Sequence, residues 1–115
     1  QAWYQEAGAG MGQTLKIAEE KSGYTLSDRA TYLAQQRNLH LKLLAEGDSS
    51  LLNVYHVMLV NSEKFAKVNA AGARSFSEFL LSAQGQRLIG EFGREKYGQA
   101  LFFADGGKSD AELGL

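Results

Sequence analysis

Neither cysteine nor proline occurs among the 115 residues. Without cysteine there is no disulfide, no thiolate metal site and no thiol nucleophile, although the compartment stays open. Without proline the turns fall to Gly, Asn, Asp and Ser. An excess of one charge is also lacking: 12 basic residues face 13 acidic ones, for a net charge of −1. With no long basic run, a broad nucleic-acid surface is excluded, so any anion must be held locally by a few placed donors. No apolar stretch reaches the ~18 residues of a membrane span. The longest one, residues 51–60, is interrupted by Asn53, Tyr55 and His56. No N-terminal stretch has the pattern of a secretory leader. Because the chain begins at Gln1 rather than methionine, either a removed leader or a piece of a longer protein is expected.

A hydrophobic content of 44% and a charged content of 22% fit one globular domain with a core. Met11, Leu15 and Ala18 recur at helical spacing, and Ser22-Gly23 supplies a stop. Residues 24–26 form a short β-prone run. Ser27 or Asp28 can then cap a helix carrying Ala30, Leu33 and Ala34, which Arg37-Asn38 ends. Residues 39–45 (LHLKLLA) and 53–60 (NVYHVMLV) read as strands, the second a buried central one, with a turn cluster at residues 46–50 between them. Asn69 and Ser82 can each cap a helix, with Ala73, Phe76 and Leu80 on one inward face and Leu88, Ile89 and Phe92 on the next. Gly93 and Gly98 punctuate the end of the second of these helices. Residues 101–103 form a short apolar anchor, and residues 105–115 read as a loose tail. The expected class is α/β, with about three strands flanked by helices.

Two segments could carry chemistry. Gly8, Gly10 and Gly12 surround the start of the first helix, where free N–H groups and the helix dipole favour an anion, and Thr14 adds a hydroxyl. The spacing is neither a P-loop nor a dinucleotide fingerprint. On local pattern alone a plain flexible turn before an ordinary helix is the readier account of it. Arg29 offers a planar fork suited to an oxyanion, with Asp28 beside it as cap and orienter. A surface cap with a solvated arginine is the other reading. Thr25 stands at a strand end, where open α/β sheets present ligand groups. His40 and His56 lack metal-ligand spacing, and no nucleophile-elbow pattern supports a triad. Phe65, Phe76, Phe79, Phe92, Phe102 and Phe103 read as core.

The run GMGQTLKIAEEKSGYTLSDRATYL resembles the extracytoplasmic tungstate-binding proteins of ABC uptake systems, within the type II periplasmic solute-binding proteins. LLNVYHVMLVN is similar to that family's return strand, with Val54 where proline is usual. FSEFLLSAQGQRLIGEFGREKYGQALF is similar to the C-terminal helices of the wider superfamily. The resemblance implies two α/β lobes closing on an oxyanion, with this chain as the C-terminal half. Residues 1–46 would then belong to the second, ligand-clamping lobe, and residues 47–115 would supply the return strand and last helices of the first.

That resemblance implies binding without catalysis and without a cofactor, the ligand being tungstate or molybdate. Arg29 would pair with the anion, and backbone N–H groups near Gly10, Met11 and Gly12 would cradle it. Thr14 and Thr25 would be further ligand groups, and Asp28 would hold Arg29 without touching the anion. The implied partners are a membrane ABC permease, no nucleic acid, and either the missing N-terminal half or a self-associated copy. The implied location is periplasmic or extracellular, with membrane anchoring through a leader outside this sequence. Two other functions share the architecture or the site. One is the effector-binding domain of a transcription regulator, and the other is an enzyme acting on a phosphorylated substrate, for which no acid–base pair stands beside the glycine turn.

Overall fold

The computed structural model describes residues 3–114; Gln1, Ala2 and Leu115, the last residue of the expected tail, lie outside the described residues. Helix α1 (Met11–Glu20) buries Leu15 and Ala18, two members of its expected apolar face. It ends where Ser22 adopts φ 50°, letting the Gly23 N–H donate back to the Ala18 carbonyl at 2.8 Å. Helix α2 (Arg29–Gln35) starts at the expected cap: the Asp28 carboxylate accepts from the Thr31 N–H at 2.7 Å. It runs on into a 3-10 turn at Gln36–Asn38 and packs against α1.

A second helical group comes after residue 69. Asn69 caps α3 (Ala70–Leu81) by accepting from the Gly72 N–H at 2.9 Å. Ser82 serves two helices at once. Its hydroxyl donates to the Phe79 carbonyl at 2.7 Å and accepts from the Gly85 N–H at 3.1 Å at the start of α4 (Ala83–Glu91). Gly85 is buried in this joint, where a Cβ would collide with the Phe79 carbonyl. A short α5 (Arg94–Tyr97) sits between Gly93 and Gly98, both at positive φ. Another short helix, α6 (Asp110–Leu113), occupies the segment expected to be a loose tail. The Glu112 carboxylate accepts there from both the N–H and the hydroxyl of Ser109.

The expected α/β class is overturned: among the described residues no segment forms a strand. The runs 24–26, 39–45 and 53–60 carry β-prone side chains but build no ladder, and residues 53–60 have no backbone–backbone hydrogen-bond partner among the described residues. A strand exists only with a partner beside it, and these runs do not pair with one another in a ladder. The expected aromatic core is corrected for the same reason. Phe65, Phe76, Phe79, Phe92 and Phe103 are exposed, as are Leu88, Tyr55 and residues 57–60. The buried apolar side chains among the described residues are Leu15, Ala18 and Leu101, the last being part of the expected anchor.

The molecule is correspondingly spread out. Its radius of gyration is 17.8 Å, against about 13 Å for a compact domain of this length. Its accessible surface is 9531 Å² for 12.5 kDa, where a compact monomer of that mass exposes about 6,200 Å².

Candidate functional site

The glycine turn leaves the start of α1 open. Gly10 is the N-cap in extended conformation, with no side-chain cap, and none of the described residues stands within 4 Å of where its Cβ would be. Its carbonyl accepts from Gln13 and Thr14, each at 3.0 Å. The N–H groups of Met11 and Gly12 have no hydrogen-bond partner among the described residues. A first turn with uncapped donors and a favourable dipole is where negative charge is stabilised. Behind it, Gly12 lies against α2: a Cβ there would meet the Gln35 amide and come within 3.8 Å of the Thr31 methyl. The helix start is therefore backed by protein on one side and open on the other.

The side chains expected to line this turn are turned elsewhere. The Thr14 hydroxyl donates back to the Gly10 carbonyl at 3.2 Å. Thr25 donates to the Leu26 carbonyl at 3.1 Å, on an exposed stretch. Asp28 spends its carboxylate on the Thr31 N–H rather than on its neighbour.

Arg29 is held by residues that had no part in the candidate site expected from the sequence. One terminal nitrogen donates to Glu46 Oε2 at 3.0 Å and the other to Gln99 Oε1 at 3.1 Å. The guanidinium carbon lies 5.7 Å from the centroid of the Phe103 ring, within the range of cation–π attraction. Glu46 had a visible signal, a carboxylate at the mouth of the turn cluster 46–50. Gln99 had none, because its partner is 70 residues away.

A third cluster fixes the run between α2 and that turn. The Glu19 carboxylate accepts from the His40 N–H at 2.9 Å and the Leu41 N–H at 3.1 Å, and His40 Nδ1 lies 2.7 Å from its other oxygen. The hydrogen bond from the His40 ring, opposed by partial desolvation and reinforced by the backbone donors, lowers the Glu19 pKa. Tyr32 adds a hydroxyl bond to the Leu41 carbonyl at 3.3 Å. Residues 40 and 41 are thus pinned to both α1 and α2.

These elements belong to a recognisable class. A family model described as a PBP superfamily domain matches residues 1–84, and the chain belongs to that superfamily. Among its relatives, the tungstate-binding protein TupA of Peptoclostridium acidaminophilum is 46% identical over 106 residues, covering 92% of this chain and 37% of that protein. A protein of Haloferax volcanii with the provisional name ABC transporter anion-binding protein is 38% identical, covering 97% of this chain and 34% of its own length. The tungstate-binding protein TupA of Campylobacter jejuni is 38% identical over 96 residues, covering 80% and 36%. The chain spans about a third of the length of these curated relatives.

Proposed function

We propose that this chain takes part in capturing an oxyanion of the tungstate class for an ABC uptake permease, outside the cytoplasm, with no chemical step on the ligand. The observation that carries the reading is the uncapped first turn of α1, with the Met11 and Gly12 N–H groups open beside a protein wall. The relatives' names, two for tungstate binding and one for ABC-linked anion binding, support the ligand class and the permease.

A dianion entering this turn exchanges its water shell for fixed peptide donors and a guanidinium. Each charge-assisted hydrogen bond contributes about 1.5–3 kcal/mol net, so several must act together. The backbone of Met11 and Gly12 supplies donors that cannot titrate, and Arg29 supplies a guanidinium with a planar fork of donors. Thr14 and Thr25 join if their hydroxyls rotate off the carbonyls they now serve. Asp28 fixes the start of α2 and so the place from which Arg29 reaches. Tungstate and molybdate are both larger than sulfate, so cavity size can reject sulfate more readily than it separates the other two. The exposed apolar surface is proposed to be covered by further polypeptide of the same protein or by a second copy.

Calorimetry with tungstate, molybdate and sulfate tests the reading. Tungstate heat with little or none from sulfate is expected. Equal heats for the two, or none for tungstate, would refute it. Arg29→Ala should cost about tenfold or more in affinity, the equivalent of one charge-assisted bond.

A further inference from the structure

We propose that Glu46 is an internal competitor for the oxyanion: its carboxylate holds the Arg29 guanidinium in the ligand-free chain and leaves when a dianion is taken up. This rests on the functional reading in which Arg29 pairs with the ligand.

The three partners of Arg29 differ in kind. Gln99 is a neutral amide and Phe103 an aromatic ring, and neither repels an incoming anion. Among the described residues Glu46 is its one charged partner, at 3.0 Å. A carboxylate and a dianion on one guanidinium repel each other, so the site accommodates one of them at a time. The amide and the ring can keep the guanidinium oriented while the carboxylate departs. Only two of the five guanidinium N–H groups serve Glu46 and Gln99, which leaves donors through which an anion can approach before the exchange is complete.

Displacement is cheap. The two side chains retain 36% and 56% of their exposure, and pairs this open to water hold weakly. The backbone around Glu46 also permits movement. Residues 40 and 41 are pinned by Glu19 and Tyr32, and Asp48 is pinned as the cap of the 3-10 turn Ser49–Leu51, accepting from Ser50. Residues 42–47 form a span between these anchors with no backbone–backbone hydrogen bond among the described residues. Gly47, at φ 82°, sits at its end as a pivot next to Glu46. Anion uptake thus becomes linked to the release of this span.

The test is calorimetry of tungstate binding to the full chain and to its Glu46→Gln and Gln99→Ala variants, at low and moderate salt. Thermal melts confirm that each variant is folded, and Glu46→Ala serves as a second charge-removing variant. Removing the competing charge should tighten binding about two- to fivefold, the scale of an exposed ion pair. Gln99→Ala, which removes only a neutral partner, should not tighten it. Equal or weaker binding by Glu46→Gln, or equal tightening by Gln99→Ala, overturns the competitor while leaving the functional reading intact. If the unmodified chain gives no tungstate heat, the functional reading fails, and the competitor that rests on it falls too.

Discussion

Under the proposed function, Gly10 carries opposite demands from folding and binding. Its backbone, at φ −67° and ψ 163°, is ordinary extended geometry that any residue adopts, and the space beside it is open. Serine or aspartate there would cap α1 and stabilise it by a few tenths of a kcal/mol over glycine. Gly10→Asp should therefore raise the melting temperature slightly. It should also place a negative charge at the helix start and weaken oxyanion binding by tenfold or more, as read by calorimetry. Gly10→Ser should give the stability without the full loss of binding. If Gly10→Asp binds tungstate as the unmodified chain does, the anion is not held at this helix start. The glycine turn and Arg29 were legible as candidates because uncapped helix starts and guanidinium forks have local signatures. What Arg29 touches was not legible: Glu46 and Gln99 lie 17 and 70 residues away, and no local pattern encodes such a meeting.

Helix ends were the part of the fold most readable from sequence. The caps at Asp28, Asn69 and Ser82 depend on side chains within three residues of the donors they serve. The β-prone runs failed as strands because a ladder is a property of two segments. Gly85 offers a test of the α3–α4 joint. A methyl group at that position would press on the Phe79 backbone carbonyl, which cannot rotate away as a side chain would. Gly85→Ala should destabilise by about 1–3 kcal/mol, the usual cost of overpacking, and lower the melting temperature by several degrees. By contrast Gly12→Ala meets the flexible end of Gln35 and should be tolerated better.

The pin between α1 and the 39–41 run has a pH signature. Hydrogen bonds from His40 and Leu41 stabilise the ionised form of Glu19, so its pKa lies below that of the unfolded chain. A depressed carboxylate contributes stability above its unfolded pKa and loses it as pH falls through the folded one. The amide signals of His40 and Leu41 should therefore move together on acidification, with a midpoint below the ordinary glutamate value of about 4.3. A midpoint at or above that value, or an unchanged titration in Glu19→Gln, would show that the carboxylate does not hold this run.

At the scale of the whole molecule, surface is the deciding quantity. The chain exposes about 3,300 Å² more than a compact monomer of its mass, and large obligate interfaces bury about 2,000–5,000 Å². Tyr55, Met58 and Val60 on the unpaired run 53–60, together with Phe65, Phe76 and Phe92, stand in that excess. The apolar part of that excess favours association at roughly 25 cal/mol per Å² before ordering costs are subtracted. Relatives about three times as long have polypeptide enough to cover it, whereas the 115-residue chain in isolation has only its own copies. Light scattering at tens of micromolar should give a mass at least twice 12.5 kDa, and dilution should release the exposed surface to dyes that bind apolar patches. A monodisperse monomer with a sharp cooperative melt would mean that these side chains find cover within a single chain, and the proposed need for further polypeptide or a second copy would fall.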